Sequence, residues 1–130
     1  MSNRKKIAMI SGIGAGIGKL TAQRLLSLGN TILGVDRIDK DKIAPEFLEN
    51  REFHYYKTNL LNKAEVEELF QKVNKEFGKL DILLNIAGGF QGVLSFEETD
   101  EKKWDDILAL NLKSVYYMCS EAVPILTIRP

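Results

Sequence analysis

The stretch Ser11–Gly18, SGIGAGIG, places four glycines among eight residues and directly follows the apolar run KIAMI. A glycine inside a helix or strand costs roughly 0.5–1 kcal/mol relative to alanine. Four of them indicate a backbone that turns sharply or approaches another group closely, since an ordinary tight turn needs only one or two. The stretch lies between a predicted strand and a predicted helix, and a helix N-terminus at such a turn commonly holds phosphate.

Alternating apolar segments extend outward from this turn. Short apolar runs predict four buried strands, at Lys6–Ile10, Thr31–Asp36, Phe53–Lys57 and Leu80–Leu84. Apolar residues at helical spacing predict three helices, from Gly16 to Leu28, from Asn62 to Gly78, and from about Glu101 to Pro124. In the first helix the spaced residues are Ile17, Leu20, Leu25 and Leu28, with Gly29 as the cap. Asn62 and Glu65 resemble a capping box at the start of the second helix.

Strands that alternate with helices predict a parallel sheet covered on both faces. Right-handed crossovers leave a doubly wound sheet of strand order 3-2-1-4 as the leading topology. The polar segment 37–50 predicts a loop with one or two short helical turns. The fold class is therefore α/β, and residues 1–130 form a single domain.

Composition excludes several classes of partner. The chain has 18 Lys and Arg and 18 Asp and Glu, so its formal charge of +0 gives no electrostatic case for nucleic acid or an anionic membrane. No apolar run is long enough to span a bilayer or to form a signal peptide. Cys119 is the only cysteine; we expect it to be a small buried residue, and a reducing, cytoplasmic location follows most simply. No metal site is predicted.

The spacing of the glycines distinguishes three phosphate-binding motifs. A P-loop requires glycine where the chain has Ile13 and Ser or Thr where it has Leu20. The G-x-G-x-x-G pattern, started at Gly12, requires glycine at position 17, which is isoleucine. The spacing G-x-x-x-G-x-G, with Gly12, Gly16 and Gly18, fits without exception.

That last spacing resembles the Thr-Gly-x-x-x-Gly-Ile-Gly turn of the short-chain dehydrogenase/reductase family, with Ser11 in place of Thr. Further matches follow in the family's order: Asp36 at the end of the second strand, TNLLN with Asn59 after the third, DILLNIAGG with Ile86 for the second Asn of Asn-Asn-Ala-Gly, and Asn111 in the helix WDDILALNLKSVYYM. The resemblance covers about Lys5 to Leu126. It implies the N-terminal, cofactor-binding half of that family: a Rossmann-like doubly wound sheet, truncated after the fourth strand and the following helix.

The glycine turn and the resemblance together imply a dinucleotide site. Its cofactor-binding residues would be Ser11, Gly12, Gly14, Gly16, Ile17, Gly18, Asp36, Arg37, Asn59, Leu60, Asn85, Ala87 and Gly88. By the resemblance, Asn59 and Leu60 would flank the adenine. Asn85, Ala87 and Gly88 would line the cofactor near the nicotinamide ribose.

The charges at the end of the second strand bear on which dinucleotide binds. Asp36 lies 18 residues after Gly18, near the spacing expected of a carboxylate that accepts ribose hydroxyls and repels a 2′-phosphate. Arg37 could instead pair with a 2′-phosphate. Gly14 and Ala15 within the turn are not basic, so we expect NAD, with NADP the less favoured alternative.

Catalysis in the family uses Asn, Ser, Tyr and Lys, and here only Asn111 matches. None of the four tyrosines is followed four residues later by lysine. The resemblance thus implies the N-terminal part of an NAD(H)-dependent oxidoreductase acting on an alcohol or carbonyl substrate, and the isolated chain is expected to be inactive. A catalytically inactive dinucleotide-binding or interaction module, or a non-functional fragment, is the alternative.

An exposed sheet edge is also expected. The strand Asp81–Asn85 would leave backbone groups unpaired along one side, and no charge or proline protects it. Trp104, Leu108 and Leu112 would lie uncovered on the last helix. We therefore expect self-association or a complementing chain.

Overall fold

The computed structural model describes residues 4–90 and 95–126. Its centre is a four-stranded parallel sheet of order β3-β2-β1-β4. The strands are β1 (Ile7–Ser11), β2 (Thr31–Asp36), β3 (Phe53–Lys57) and β4 (Ile82–Asn85). The register places Ser11 beside Val35 of β2 and Asn85 of β4, so the carboxyl ends of three strands meet at one edge of the sheet.

In the described part of the chain, five α-helices pack around this sheet. They are α1 (Gly16–Ser27), α2 (Pro45–Leu48), α3 (Lys63–Phe77), α4 (Glu101–Leu108) and α5 (Ser114–Ala122). Short 3₁₀ turns lie at Lys40–Lys42, Phe96–Glu98 and Val123–Ile125. The predicted topology and the short helical turns after β2 are confirmed.

Successive side chains of the inner strands point to opposite faces of the sheet, so the protein has one hydrophobic core on each face. Met9 faces the side covered by α3 and α5, where Val66 and Met118 pack against it. Ala8 and Ile10 face the other side, covered by α1 and α2. All these residues are buried, which is why the central strands lack the polar alternation of a sheet with one wet face.

The start of α3 differs in one detail from a capping box. The Asn62 side chain accepts the Glu65 backbone N–H at 3.3 Å, as expected. The Glu65 carboxylate, however, accepts the backbone N–H of Asn59 and the side-chain amide of Asn62 rather than the Asn62 backbone N–H. Gly78, at φ 68°, ends the helix in the left-handed conformation.

The predicted apolar face of α1 is wrong for three of its four residues, whereas Leu25 is partly buried against the core as expected. Ile17 and Leu20 are 73% and 66% exposed, and Leu28 is also exposed, whereas the buried residues of the helix are Gly18 and Ala22. The reason is close packing at the start of α1, where a Cβ on Gly18 would overlap the Gly12 carbonyl oxygen; further along the helix, Leu25 and Leu26 pack against the core.

Three other expectations need correction. β1 and β4 are each displaced toward the C-terminus, to Ile7–Ser11 and Ile82–Asn85. The last long helix is divided, because the π-helical turn Ala109–Lys113 joins α4 to α5. Cys119 is exposed rather than buried, since the inner positions of α5 are taken by Ser114, Met118 and Ala122.

β4 forms the edge of the sheet in the described part of the chain. Just before it, the Leu80 N–H donates to the Ile125 carbonyl at 2.8 Å, and Leu80 forms an isolated parallel bridge with Leu126. Among the described residues this bridge is the one pairing on that side, and the residues after Leu126 lie outside the described part of the chain, so the open edge of β4 stays a prediction. None of the described helices is long and apolar enough to cross a bilayer.

Candidate functional site

The glycine turn after β1 is built from close backbone contacts. Gly12 adopts φ 76°, and a Cβ there would lie 2.8 Å from the Ala87 backbone nitrogen. A Cβ on Gly18 would overlap the Gly12 carbonyl oxygen. The turn can therefore fit between β4 and α1 only when residues 12 and 18 carry no side chain. This is the physical reason for glycine at these two positions.

The Ser11 hydroxyl secures the loop that follows β4. It accepts the backbone N–H groups of Ile86 and Ala87, each at 3.1 Å, and the Ser11 residue is buried. The chain leaves the sheet at these two residues, so their backbone N–H groups would otherwise have no hydrogen-bond acceptor. Ser11 thus lies beneath the site as a support.

Asp36 closes the other side of the turn. Its Oδ2 accepts the Gly14 N–H at 2.9 Å, and its Oδ1 accepts the N–H of Arg37 at 2.7 Å. A carboxylate has about four acceptor positions, so lone pairs remain for further donors. The Asp36 carbonyl accepts the Thr58 N–H at 2.8 Å, which joins the end of β2 to the residue after β3.

A cavity of about 460 Å³ lies over the carboxyl ends of the strands. Eight predicted binding residues line it: Gly12, Gly14, Asp36, Arg37, Asn59, Leu60, Ala87 and Gly88. Other predicted residues lie at its margin rather than in its wall: Ser11 beneath the turn, Gly16, Ile17 and Gly18 in the first turn of α1, Asn85 at the end of β4, and Asn111 behind the loop.

The structure adds lining residues that the sequence analysis did not identify. They are Ala15, Ile38, Thr58, Leu61, Gly89, Phe90, Leu110 and Ser114. Ile38 and Thr58 directly adjoin predicted residues, so proximity in the chain was a usable signal. Leu110 likewise adjoins the predicted Asn111, whereas nothing in the sequence singled out Ser114, whose hydroxyl donates to the Leu110 carbonyl at 2.7 Å.

Asn59 turns its side chain toward its own loop. Its Oδ1 accepts the Leu61 N–H at 3.1 Å, while its backbone N–H donates to Glu65 at 2.8 Å. The amide nitrogen of Asn59 then supplies the donors that this side chain can offer to a ligand.

The Asn111 side chain holds the loop after β4 through both backbone groups of Gly89. Its Oδ1 accepts the Gly89 N–H at 3.0 Å, and its Nδ2 donates to the carbonyls of Gly89 and Ile107 at 2.8 and 2.9 Å. Both amide protons are thereby used, and one acceptor position on Oδ1 is left for a water or a ligand. Gly88 is also required to be small, since a Cβ there would lie 2.6 Å from the same Oδ1.

Asn85 carries an unsatisfied atom. Its Nδ2 lies 3.5 Å from the Cys119 sulfur, and its Oδ1 is buried with no hydrogen-bond partner among the described residues. An unsatisfied buried acceptor costs about 1–3 kcal/mol, so its presence needs a reason. A donor supplied by a ligand at this edge of the sheet would remove that cost.

The parallel sheet of order 3-2-1-4, the glycine turn and the acidic end of β2 define a doubly wound α/β fold of the Rossmann type. The chain belongs to the short chain dehydrogenase family, whose model matches residues 6–129.

Similar proteins agree with this assignment. The chain is 34% identical over 121 residues to the short chain dehydrogenase adrF of Penicillium rubens, covering 92% of this chain and 46% of that protein. It is 35% identical over 114 residues to 2-dehydro-3-deoxy-D-gluconate 5-dehydrogenase of Dickeya dadantii, covering 87% of this chain and 45% of that protein.

A solved structure shows the same arrangement. The NADH-dependent reductase A1-R′, complexed with NAD, superimposes with a TM-score of 0.82 at 26% identity, covering 94% of this chain and 52% of that one. The chain thus spans about half the length of the curated relatives that it matches. This proportion agrees with the N-terminal half implied by the sequence.

Proposed function

We propose that this chain binds the adenosine half of NAD(H) in the cavity above β1, β2 and β4. It would do so as the N-terminal part of a short-chain oxidoreductase that acts on an alcohol or carbonyl substrate. The observation that carries the proposal is Asp36: its carboxylate lines the cavity and is held in place by the Gly14 N–H. The family membership of the chain supports the same class of ligand.

The residues present fit a dinucleotide. Glycines at positions 12, 14 and 88 let the backbone of the cavity wall pack closely against neighbouring protein atoms, and the N-terminus of α1 provides unpaired backbone N–H groups for a pyrophosphate. Leu60 and Asn59, which line the same cavity as Asp36, would flank the adenine. When bound, the nicotinamide would supply hydride transfer.

NAD is proposed over NADP on the charge at the ribose. The remaining acceptor positions of Asp36 suit ribose hydroxyls, whereas a 2′-phosphate would meet its negative charge. Arg37 lies in the same cavity wall and is the residue that opposes this preference.

Asn111 is proposed as the contribution of this chain to catalysis. Its last acceptor position could hold a water for proton transfer, while its other bonds keep the loop after β4 beside α4. The 130 residues contain no tyrosine followed four residues later by lysine, which favours, as a second candidate, a chain that binds the dinucleotide without turning it over. A cytoplasmic location, inferred from the single cysteine, belongs to the same proposal.

Isothermal titration with NADH, NADPH and ADP-ribose tests the binding step. We expect NADH to bind more tightly than NADPH, and ADP-ribose to retain most of the affinity, because the predicted contacts are with the adenosine half. Asp36→Ala should narrow the difference between NADH and NADPH. Asp39→Ala is the matched control, since Asp39 is an exposed carboxylate paired with Lys57 and does not line the cavity.

Two results would contradict the proposal. Tighter binding of NADPH to the unmutated chain would show that Arg37 governs the site. Equal loss of affinity in the Asp36 and Asp39 variants would show that overall charge, rather than a placed carboxylate, is responsible.

A further inference from the structure

Two adjacent tyrosines on β3 bind very different partners. Tyr56 packs on the core formed with α3, and its hydroxyl donates to the Glu76 carboxylate at 2.7 Å. Tyr55 packs on the opposite core, and its hydroxyl donates to the backbone carbonyl of Ile38 at 2.6 Å. Of these two hydroxyl partners, Ile38 lines the candidate nucleotide cavity and Glu76 does not.

The segment that Tyr55 contacts, Asp36–Ile38, is the part of the chain where β2 ends and turns. The Tyr55 oxygen lies 3.2 Å from the Asp36 carbonyl as well, but a hydroxyl has one proton and the shorter distance is to Ile38. The Asp36 carbonyl is itself bound by the Thr58 N–H at 2.8 Å. The turn is thus held from β3 at both of its ends.

The position of this turn determines what faces the cavity. The Asp36 carboxylate reaches the Gly14 N–H at 2.9 Å only with the turn in its present place. The Ile38 side chain rests against the same glycine, where an added Cβ would lie 2.7 Å from its Cδ1 atom. Arg37, between them, is the competing charge of the site.

Building on the proposed function, we propose that Tyr55 is a positioning residue for nucleotide choice. Its hydrogen bond to the Ile38 carbonyl fixes the turn so that the Asp36 carboxylate, rather than the Arg37 guanidinium, is presented to the adenosine ribose. Tyr55 does not line the cavity, so it would act through Asp36. Its removal weakens the preference for NAD over NADP without removing the site.

The chemistry of the phenol supports this role. Burial, together with the nearby charges of Asp36 and Asp39, raises the pKa of Tyr55 to about 12. The hydroxyl therefore keeps its proton, and remains a donor, at every pH at which the protein would bind nucleotide. Such a permanent donor suits a fixed carbonyl partner.

The variant Tyr55→Phe tests the proposal, with Tyr56→Phe as the matched control. Both changes remove one hydroxyl from the same strand and keep the ring, so both variants should fold. Affinities for NADH and NADPH are measured by titration. Amide hydrogen exchange at Gly14 and Arg37, followed by NMR without any nucleotide, reports on the Asp36 carboxylate that both amides contact.

In Tyr55→Phe we expect the affinity ratio of NADH to NADPH to fall about three- to tenfold, the effect of one lost hydrogen bond. Exchange at Gly14 should become faster by a similar factor. In Tyr56→Phe neither quantity should change. A faster exchange that is equal in the two variants would indicate general loosening of β3 and would overturn the proposal.

The two proposals fail separately. If the unmutated chain binds neither nucleotide, the proposed function is wrong, and the exchange at Gly14 alone decides whether Tyr55 positions Asp36. If the chain binds NADH and Tyr55→Phe leaves both the affinity ratio and the exchange unchanged, the proposed function stands and the role of Tyr55 is refuted.

Discussion

Gly18 in the first turn of α1 packs directly against the carbonyl oxygen of Gly12, leaving no room for a Cβ. This contact brings the helix down onto the glycine turn and explains why the fully buried residues of α1 are Gly18 and Ala22, while Leu25 and Leu26 are only partly buried against the core.

Replacing Gly18 by alanine should be strongly destabilising. Since the obstacle is backbone, the turn itself must move, and we expect the free energy of unfolding to fall by about 3 kcal/mol. Gly16→Ala is the comparison, because Gly16 has a positive φ but open space around it, and should cost only about 1 kcal/mol. Urea denaturation measures both losses. Because Gly18 has an ordinary helical φ, a loss no larger than that of Gly16→Ala would show that the turn accommodates the added Cβ and that the Gly12 contact does not require glycine at position 18.

Ser11→Ala should destabilise the chain by about 1–3 kcal/mol, because it leaves two backbone amides at the end of β4 without their acceptor. Ser11→Thr keeps the hydroxyl and should retain most of the stability. Thermal unfolding of the three proteins distinguishes them. An alanine variant as stable as the threonine variant would mean that water or another acceptor replaces the Ser11 hydroxyl.

Asn111→Ala should release the loop after β4, because Gly89 loses partners for both its N–H and its carbonyl. We expect hydrogen exchange at Gly89 to increase at least tenfold, with a stability loss of only about 1 kcal/mol since the bonds are exposed. Asn111→Asp keeps the acceptor for the Gly89 N–H and should protect that amide more than alanine does. An unchanged exchange rate in both variants would show that the loop is held by other contacts.

Stability should decline in alkaline solution because of the two tyrosines on β3. Burial raises the pKa of Tyr55 to about 12 from its ordinary value near 10, and burial and the bond to Glu76 raise the pKa of Tyr56 also. At a pH between the ordinary tyrosine pKa and the raised pKa of the folded state, each of these tyrosines is protonated in the folded chain and deprotonated in the unfolded chain. Their contribution is therefore complete below pH 10 and falls as the pH rises through the folded pKa.

Urea denaturation from pH 8 to pH 11 checks this sign. Each Tyr→Phe variant should show a shallower decline above pH 10 than the unmutated chain, with no difference in slope below pH 9. Parallel slopes in all three proteins would assign the alkaline decline to other groups.

Self-association is expected from the row of exposed apolar side chains along α4, the π-helical turn and α5. Trp104 and Leu112 are 58% and 64% exposed, and Leu108 and Tyr116 continue the row at the same spacing. Analytical ultracentrifugation at micromolar concentration should detect oligomers that Leu112→Lys reduces. Leu48→Lys, at an exposed leucine of α2, is the control and should leave the distribution unchanged. A stable monomer with cooperative unfolding would refute the expectation.

The sequence by itself determined the glycine turn, the acidic end of β2 and the order of the sheet. These features depend on local chemistry: glycine spacing permits one backbone path, buried strands are continuous apolar runs, and parallel strands impose right-handed crossovers. Eight of the residues singled out from the sequence line the same cavity, because the carboxyl ends of parallel strands lie together at one edge of the sheet.

Only the tertiary structure decided the contacts between distant segments. The buried face of α1 depends on how closely the helix approaches Gly12, which the periodicity of its leucines cannot reveal. The structure shows that Cys119 is exposed, which its sequence context did not indicate. It also shows two hydrogen bonds between segments that are distant in the chain, from the Gly89 N–H to Asn111 and from the Tyr55 hydroxyl to the Ile38 carbonyl. These contacts follow from the packing of the whole sheet between its helices, because the tertiary position of each neighbouring element determines which atoms a side chain can reach.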